Sequence, residues 1–567
     1  DGIRDIGVTG VQTCALPISA VVPAWSSFLP PCVRHEDDDV LVVAKPHGWN
    51  THAPAPHAGE GIYDWLRDRE PRWASLAIIH RLDRDTSGLL VLGKSERANR
   101  SLTAQFAGRD IRKVYRLCTD GVPRPRRSDA MFESLPEGGW RVTSWLAKAG
   151  EQQSSRPHGP HGAEAITEFN PVGEGEWIAR PRTGRTHQIR VHAAAMGMPI
   201  LGDPLYGGTP APRMFLHAEE LGFVHPLDGR RMGFVEPARF DARWPGTAAL
   251  ARAMFREEET NAHRCWHGAA HGTAGWHLDR LGDWLMAVGE GGAPPGELAG
   301  TWPSEFGQPT GIYQKSWRRD VRQASREEAC PALIAGTAAP PRFEILENGV
   351  RYGLSMEEGY SAGLFLDQRD NRRRLLAGHV GHAFPWLERG LAGRTVLNGF
   401  AYTGGFSVCA ALAGAHVTTL DLSRKYLEWA RDNFRRNGLV PEAHDFVFGD
   451  CFDWMGRFAR KGRRFDVVLV DPPTFSRSKE RGDFRAEKDY ARLAGLAARL
   501  VSQGGVLFCS TNAARLAPEE FLGMVRSGVA DAGRGIRSIH YAPQPPDFPV
   551  SRDEPAYLKT AWLRIDG

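Results

Sequence analysis

An acidic residue between two arginines is the first group in this 567-residue chain that could do chemistry. Asp83 lies between Arg81 and Arg84, just before a Thr-Ser-Gly turn and an apolar run at 88–94. A nearby cation keeps a carboxylate ionised, as a nucleophile or a general base requires. Exposed ion pairs of this kind are also common and weak, so the pattern alone leaves open a capped surface turn.

A second group of polar residues follows alternating strand and helix patterns late in the chain. Glycines at 398–405 join a predicted strand to a helix, where backbone N–H groups can approach a ligand. Asp421 and Asp450 end the next two predicted strands, positions suited to a ribose and to an adenine edge respectively. The sequence Asp-Pro-Pro-Thr-Phe at 471–475 can bind a planar nitrogen while its aromatic ring stacks on it. The motif GxGxxG is absent, which argues against a generic dinucleotide fold.

Composition narrows the class of protein. A mean hydropathy of −0.38 and the lack of any run near ~18 apolar residues exclude a transmembrane protein. The formal net charge of +4 permits an anionic partner without requiring one. Eight dispersed cysteines without a CxxC motif fit a reducing cytosol, so we expect a cytoplasmic protein with no membrane partner.

The two candidate sites need different frameworks. Short strand-like runs from 36 to 250, with few helical stretches, predict an α+β domain around a mixed, largely antiparallel sheet. From about 360, strand and helix patterns alternate, which predicts a Rossmann-like, doubly wound α/β domain. Residues 1–19 resemble a translated sequencing adapter and are excluded from the fold. The expected units are domains at 20–250 and 356–567, a connector at 251–275 and a small α/β subdomain at 276–355.

The segments around Asp83 resemble the RluA family of pseudouridine synthases. The resemblance spans about 36–240 and lies in HRLDRDTSGLL (80–90), Lys113-Val114-Tyr115, RTGRTHQIRVH (182–192) and GMPILGDPLYG (197–207). It implies isomerisation of uridine in RNA, with the target base extruded from its stack and no cofactor.

The same resemblance implies roles for individual residues. Asp83 would be the essential carboxylate, attacking either the sugar or the base, and Arg190 would hold it ionised. Tyr115 would pack on the extruded uracil and assist removal of the carbon-5 proton. Arg81 would fill the space of the extruded nucleotide, and Lys113 would contact the RNA backbone.

The last part of the chain is similar to class I S-adenosylmethionine-dependent methyltransferases, and more narrowly to the RlmK and RlmI type that act on 23S rRNA. The resemblance covers about 276–565 and lies in GLFLDQR (363–369), NGFAYTGGFSV (398–408), LDLSRKYLEWARDN (420–433) and DPPTFSRSK (471–479). It implies S-adenosylmethionine as cofactor and 23S rRNA as partner, and it indicates no obligate protein partner.

This second resemblance also implies site residues. Asp421 would bind the ribose of the methyl donor and Asp450 its adenine, while Asp471, Pro472 and Pro473 would face the target base. Around the methionine part of the donor, and shaping its pocket, we expect Asn398, Phe400, Tyr402, Gly404, Asp367 and Arg369.

One strand bears on which atom is methylated. Methylation at cytosine carbon 5 requires a thiolate that adds to carbon 6, and cytosine-modifying relatives carry it in a phrase like F-S-C-S. Here Cys509 comes one residue early and Ser510 takes its place, and neighbouring side chains of a strand point to opposite faces. Together with the threonine of DPPTF, this favours guanine N7 over cytosine carbon 5. Guanine N7 is already a nucleophile, so positioning suffices there.

Several alternatives stay open. Basic runs at 314–326 and 369–374 are either RNA phosphate contacts, which would make binding salt-sensitive, or solvated faces. One half could be an inactive RNA-binding module, or the methyl acceptor could be a protein glutamine or a small amine. A C-x-H-x₃-H arrangement lacks the spacing of a zinc finger, so we expect no metal site at His263, Cys265, His267 and His271.

Overall fold

The structure is a computed structural model, and it describes most of the chain. The stretch at 1–19 and most of the basic run at 314–326 lie outside the described residues. No helix in the described part is long and apolar enough to cross a membrane. The described residues are 29–55, 57–59, 61–157, 162–240, 247–289, 294, 309–316, 330–358, 361–478, 482–551 and 554–566.

The first domain is built around a 12-stranded sheet. Its strands are β1 (Val33–Glu36), β2 (Val40–Lys45), β3 (Ala77–Ile78), β4 (Ser87–Gly93), β5 (Arg112–Cys118), β6 (Met131–Ser134), β7 (Trp140–Ala149), β8 (Gln152–Arg156), β9 (Ala163–Gly173), β10 (Glu176–Pro181), β11 (Leu216–Val224) and β12 (Arg231–Val235). The main path runs β1-β2-β4-β11-β5-β10-β9-β7-β6. Neighbours on it pair antiparallel except β4 with β11, so the predicted mixed, largely antiparallel sheet is confirmed.

Strands β2 and β4 are apolar along almost their whole length because side chains on both of their faces are buried. Every residue of β4 is buried, and so is nearly all of β2. Leu90 and Leu92 enter one hydrophobic core, whereas Leu89 and Val91 enter another on the opposite face. Helices covering or flanking the sheet are α1 (Ile62–Arg69), α2 (Glu96–Gly108), α3 (Gln188–Ala195) and α4 (Ala248–Met254).

A smaller sheet follows helix α4. Its order is β13 (Ala262–His267), β14 (His277–Leu281), β15 (Trp284–Gly289), β16 (Gly311–Ser316) and β17 (Ala332–Gly336). A separate hairpin consists of β18 (Phe343–Glu347) and β19 (Val350–Leu354). Strand β13 lies in the range expected for the connector, yet it pairs with β14, so the subdomain's sheet begins at residue 262.

The last domain is a doubly wound α/β unit, as predicted. Its strands are β20 (Thr395–Gly399), β21 (His416–Asp421), β22 (Asp445–Phe448), β23 (Phe465–Val470), β26 (Val501–Thr511), β27 (Ile536–Ala542) and β28 (Lys559–Ile565), with a small hairpin of β24 (Phe475–Ser478) and β25 (Gly482–Arg485). The sheet order is β22-β21-β20-β23-β26-β28-β27, and the first five strands run parallel. The helices are α5 (Arg369–Ala377), α6 (Gly405–Leu412), α7 (Arg424–Arg436), α8 (Cys451–Arg460), α9 (Ala486–Ala498) and α10 (Pro518–Asp531).

Parallel strands bring the candidate residues of this domain to one edge. The carboxyl ends of β20, β21, β22 and β23 carry the glycine-rich loop, Asp421, Asp450 and Asp471 in turn. Ligands of open α/β sheets bind outside these carboxyl ends. The topology therefore explains why residues spread over more than 70 positions can form one site.

The two large domains contact each other through α1 and α5. Arg69 Nη2 lies 3.0 Å from Glu259 Oε1, and both side chains are buried. Arg373 of α5 pairs with Glu70 at the end of α1, and its Nη1 lies 3.6 Å from Glu259 Oε1. His540 Nε2 also lies 3.5 Å from Asp68 Oδ2. These residues together are called the interdomain ion cluster: Asp68, Arg69, Glu70, Glu259, Arg373 and His540.

The basic run at 369–374 is structural rather than an RNA-binding surface. Its four arginines are no more than 4% exposed. Arg369 pairs with Asp547, Arg372 with Glu347 and Arg373 with Glu70, while Arg374 donates to the carbonyl of Val380. Both interpretations of this run, as RNA phosphate contacts and as a solvated face, are wrong because each guanidinium is buried and contacted by the protein itself.

Candidate active sites

Asp83 lies in the connection between β3 and β4, in a cleft of about 1650 Å³. Its side chain is 29% exposed, so the carboxylate is reachable from the cleft. The backbone of Leu82 and Arg84, on either side of it, is hydrogen-bonded by neighbouring side chains. Thr51 Oγ1 donates to the carbonyl of Leu82 and accepts from its N–H, and the buried Lys45 Nζ donates to the carbonyl of Arg84 at 3.0 Å. The Asp83 carboxylate therefore lies on a loop that is hydrogen-bonded to the domain on both sides of it.

Arg190 of α3 faces this carboxylate. Its Nη1 donates to Asp83 Oδ2 at 3.4 Å, while its Nε and Nη2 donate to the two oxygens of Asp203 at 2.7 and 2.8 Å. Burial opposes the charge of Arg190, but the hydrogen bonds and charges of Asp203 and Asp83 raise its pKa. The structure thus brings together the two residues that were expected to pair.

The other residues expected in this site line the same cleft. Tyr115 projects from β5, where burial and the charge of Asp83 raise the pKa of its phenol. Arg81 is exposed at the cleft, and burial lowers the pKa of Lys113. Gly88, the second residue of β4, has φ +115°, and a Cβ there would lie 2.3 Å from the carbonyl oxygen of Ala218.

Three residues that were not predicted as members complete this site. Asp203, which is fully buried, orients Arg190. His187 Nε2 lies 3.9 Å from Asp83 Oδ2, and its Nδ1 shares a hydrogen bond with the hydroxyl of Tyr206 at 2.9 Å. The Tyr206 ring lies 5.2 Å from the Arg190 guanidinium carbon. All three fall in the segments at 182–192 and 197–207, which carry the family resemblance. The sequence of these segments does not indicate which of their side chains point into the cleft.

The second site begins at the loop after β20. Phe400, Tyr402 and Gly404 have φ of +61°, +51° and +75°, which turns the backbone sharply before α6 starts. Asp421 Oδ2 accepts from the N–H of Tyr402 at 2.8 Å, and burial raises the pKa of this carboxyl. Asp450 caps α8 by accepting from the N–H of Asp453. The loop and the two carboxylates therefore share one sheet edge.

Two exposed apolar side chains lie at the same edge. Leu422 is 58% exposed and directly follows Asp421. Phe448 is 46% exposed and pairs in register with Asp421 at the end of β22. Exposed apolar residues beside a ligand-binding carboxylate suit a flat aromatic ligand. Sequence reasoning missed both residues because an apolar residue at a strand end carries no distinctive pattern.

Asp471 directly follows β23 and is half-buried. Gln368 Nε2 donates to its Oδ2 at 3.0 Å, and Ser510 hydrogen-bonds to the same carboxyl. Burial and the nearby Asp367 raise its pKa to about 6, although both hydrogen bonds oppose that shift. Pro472 is buried and Pro473 is exposed, and Thr474 Oγ1 donates to Asn512 Oδ1 at 2.6 Å.

Two family models match the chain. The model described as S-adenosylmethionine-dependent methyltransferase covers residues 312–564, and the model described as RNA pseudouridylate synthase covers 39–195. A Ribosomal RNA large subunit methyltransferase of Deinococcus radiodurans is 31% identical over 339 residues, which are 58% of this chain and 78% of that protein. The chain belongs to the S-adenosylmethionine-dependent methyltransferase family. Its first domain is an RNA pseudouridylate synthase domain.

Two further similarities complete the comparison. Ribosomal RNA large subunit methyltransferase K of Neisseria meningitidis is 38% identical over 172 residues, 30% of this chain and 45% of that protein. The solved structure titled Human RNA Pseudouridylate Synthase Domain Containing 1 is 24% identical and covers 36% of this chain and 82% of that one, with a TM-score of 0.29.

The methyltransferase site has the features that S-adenosylmethionine requires. The Asp421 carboxylate can accept ribose hydroxyls, Leu422 and Phe448 offer apolar surfaces for adenine, and the turned loop after β20 brings backbone N–H groups close. When bound, this cofactor supplies an electrophilic methyl group on a sulfonium. The residues of the methyltransferase therefore fit the cofactor that its family requires.

Two residues expected at the donor pocket lie behind it. Arg369 is fully buried, pairs with Asp547 and lies 4.3 Å from the ring centre of Phe255, so the structure does not bring it to the donor loop. Asn398 is 2% exposed, and its Nδ2 donates to Ser407 Oγ at 2.9 Å, which braces the loop from within. A third residue expected there, Asp367, hydrogen-bonds Tyr557 and helps to raise the pKa of Asp471, so it lies near Asp471.

Cys509 and Ser510, whose order in the sequence bears on which atom is methylated, are neighbours in β26. Ser510 Oγ faces Gln368 and Asp471. Cys509 points to the opposite face, into a core with Leu493 and Phe521, where burial raises the pKa of its thiol. The expectation from strand alternation is confirmed for this pair.

The described residues contain no group of three or more histidine, cysteine and acidic side chains placed to hold a metal. His263, Cys265 and His267 belong to β13, and His271 ends the short 3₁₀ turn Gly268–His271. Arg264 of that strand pairs with Asp279 across the hairpin to β14. These residues are thus part of the ordinary sheet framework of the subdomain.

Proposed function

We propose that this protein modifies large-subunit ribosomal RNA twice: it isomerises a uridine at Asp83 and methylates N7 of a guanine beside Asp471. The ribosomal target comes from the relatives, whose names describe large-subunit rRNA methyltransferases. The observation that carries the choice of guanine N7 is the position of Ser510, rather than a cysteine, next to Asp471.

For the uridine reaction, Asp83 supplies the carboxylate that attacks either C1′ of the sugar or C6 of the base. The N1–C1′ bond breaks, the uracil turns, a C5–C1′ bond forms, and the bond between Asp83 and the nucleotide breaks, which regenerates the carboxylate. The proton on C5 leaves with the help of Tyr115, and N1 takes up a proton. The contact between Asp83 and Arg190, and the place of Tyr115 in the same cleft, support these roles.

Base extrusion fits the shape of this site. A stacked uridine hides its glycosidic bond, so the nucleotide must leave the helix before Asp83 can reach it. The cleft of about 1650 Å³ has room for a nucleotide, and Arg81, exposed at this cleft, is suited to fill the vacated stack.

For the methyl transfer, the chain's task is to place guanine N7 in line with the methyl group. Asp471 accepts hydrogen bonds from the N–H groups of the base, and Pro472 and Pro473 shape the pocket around it. Because N7 already carries a lone pair, no residue has to remove a proton before the transfer. Asp421 and Asp450 hold the nucleoside end of the donor.

Cytosine carbon-5 methylation is the competing reaction, and it needs a thiolate that adds to carbon 6. The cysteine of β26 lies in the core with a raised pKa, which disfavours that reaction. The thiol would have to leave a packed face of the sheet before it could reach a base.

The test is nucleoside mass spectrometry on unmodified large-subunit rRNA incubated with the protein and S-adenosylmethionine. Asp83→Ala should abolish pseudouridine and leave 7-methylguanosine, and Asp471→Ala should do the reverse. Appearance of 5-methylcytidine would overturn the guanine assignment. Modification of both kinds by both variants would overturn the roles of the two carboxylates.

A further inference from the structure

Gln368 is a buried amide in the methyltransferase domain to which neither the motifs nor the relatives give a role. It ends the 3₁₀ turn Leu366–Gln368, just before α5, and is 2% exposed. Its Nε2 donates to Asp471 Oδ2 at 3.0 Å and to Ser510 Oγ at 2.7 Å. One side chain thus contacts both Asp471, which faces the target base in the proposed function, and the neighbouring Ser510.

The orientation of this amide is set by a network behind it. The indole N–H of Trp562 donates to Asn371 Oδ1 at 3.1 Å, and Arg374 donates to the same oxygen at 3.3 Å. Both groups are donors without acceptor capacity, so the Asn371 oxygen must face them. The Asn371 Nδ2 then donates to Gln368 Oε1 at 2.8 Å, which leaves the Gln368 NH₂ group directed at Asp471.

We propose that Gln368 is the positioning residue of the methyltransferase site, holding the Asp471 carboxylate against Ser510 so that its remaining acceptor capacity serves the target base. This inference rests on the proposed role of Asp471, but not on which base is methylated. Ser510 fits the same arrangement, because its oxygen accepts from Gln368 while its hydroxyl donates to Asp471.

The two donors have an electrostatic consequence. Burial and Asp367 raise the pKa of Asp471, whereas the hydrogen bonds from Ser510 and Gln368 lower it. Loss of the Gln368 amide therefore raises this pKa further and leaves more of the carboxyl protonated at neutral pH. A protonated carboxyl accepts hydrogen bonds from a base less well, so methyl transfer should need a higher pH.

The experiment compares Gln368→Met and Gln368→Glu with a matched control, Gln544→Met. Gln544 is 1% exposed in the same domain and donates to the carbonyl of Phe548 rather than to Asp471. Each full-length protein is assayed for methyl transfer to unmodified large-subunit rRNA from pH 5 to 9. Pseudouridine formation in the same samples and the dissociation constant of S-adenosylmethionine are measured alongside.

For Gln368→Met we expect the acid limb of methyl transfer to move about one pH unit upward, so that kcat falls about tenfold at pH 5 and about twofold at pH 7. Gln368→Glu should show the larger displacement, because it sets a second acid against Asp471. Donor binding, the KM for RNA and pseudouridine formation should stay within about twofold of wild type. Gln544→Met should leave the acid limb in place.

An unmoved acid limb in both Gln368 variants, or an equal displacement in Gln544→Met, would overturn the positioning role. Asp471→Asn separates this failure from that of the proposed function. If Asp471→Asn loses methylation while the Gln368 variants keep the wild-type rate and acid limb, the inference alone is wrong. If Asp471→Asn keeps methylation, the role of Asp471 is wrong and the inference falls with it. Formation of 5-methylcytidine with the expected pH displacement would support the inference and contradict guanine N7.

Discussion

The two catalytic regions of this protein hold their carboxylates in opposite ways. Asp83 is 29% exposed in an open cleft and faces the guanidinium of Arg190. Asp471 is half-buried, and its partners are the neutral donors Gln368 and Ser510, with the carboxyl of Asp367 nearby. The difference fits the two proposed tasks, because a nucleophile has to be charged, whereas a recognition group needs a fixed direction.

A second contrast concerns the arginines around each site. In the pseudouridine synthase domain, exposed Arg81 and Arg84 stand at the cleft. In the methyltransferase domain, the four arginines of 369–374 are buried and bind acidic side chains or backbone carbonyls. Positive charge is therefore exposed at the cleft in one half and buried within the fold in the other.

The largest effect is expected where the two halves meet. Glu259→Gln removes the buried carboxylate that faces Arg69 and Arg373 in the interdomain ion cluster. Breaking a buried pair while leaving its cations behind costs about 3–5 kcal/mol of folding free energy. Thermal and urea unfolding of the whole chain measure it. Glu344→Gln, which breaks only exposed pairs with Arg351 and Arg436, is the control and should cost less than about 1 kcal/mol.

If Glu259→Gln were as stable as the control, the interdomain ion cluster would contribute nothing measurable to the folding free energy. The contrast between buried and exposed arginines would then describe their positions but not their energetic roles.

The next effect isolates the pseudouridine site. Asp203→Asn weakens the two hydrogen bonds that orient Arg190, so the guanidinium no longer stands firmly against Asp83. Misplacement of a catalytic group costs about 10²-fold in rate. Pseudouridine formation should fall by that factor, while methyl transfer by the same sample serves as the internal control. An unchanged isomerisation rate would show that Asp203 does not act through Arg190.

A smaller effect concerns the pH dependence of methyl transfer. The pKa of Asp471 is raised to about 6 by burial and Asp367, above its ordinary value near 4. The ionised form accepts the base, so methyl transfer should rise with pH through 6 and be about tenfold lower at pH 5 than at pH 7. Initial rates between pH 5 and 8 measure this, with product counted per enzyme that remains folded. A flat profile would contradict the role of an ionised Asp471.

The smallest effect concerns the two faces of β26. Cys509→Ser changes a residue that packs in the core behind the site, so methyl transfer should stay within about twofold of wild type, although stability falls. A loss of methylation in folded protein, together with 5-methylcytidine as the wild-type product, would show that the thiol reaches the base. Ser510→Ala is the companion variant and should lower methyl transfer instead, because Ser510 contacts Asp471.

Sequence reasoning succeeded where the signal was local. Alternating strands and helices after 360 predicted the doubly wound sheet, and the strand-like runs before 250 predicted the mixed one. The one-residue offset between Cys509 and Ser510 correctly indicated opposite faces, because strand geometry fixes the alternation. It failed for 369–374, where a charged run was taken as a solvated or RNA-binding surface.

By itself, the sequence determined the two frameworks and the chemically distinctive residues of each site, because periodicity and motif spacing act over a few residues. Only the tertiary structure decided the partners of those residues. Asp83 meets Arg190 from 107 positions away, and Gln368 meets Asp471 from 103. Whether an arginine faces RNA or a buried carboxylate likewise depends on which distant element packs over it, since burial of a charge is tolerated only where a partner compensates for lost water.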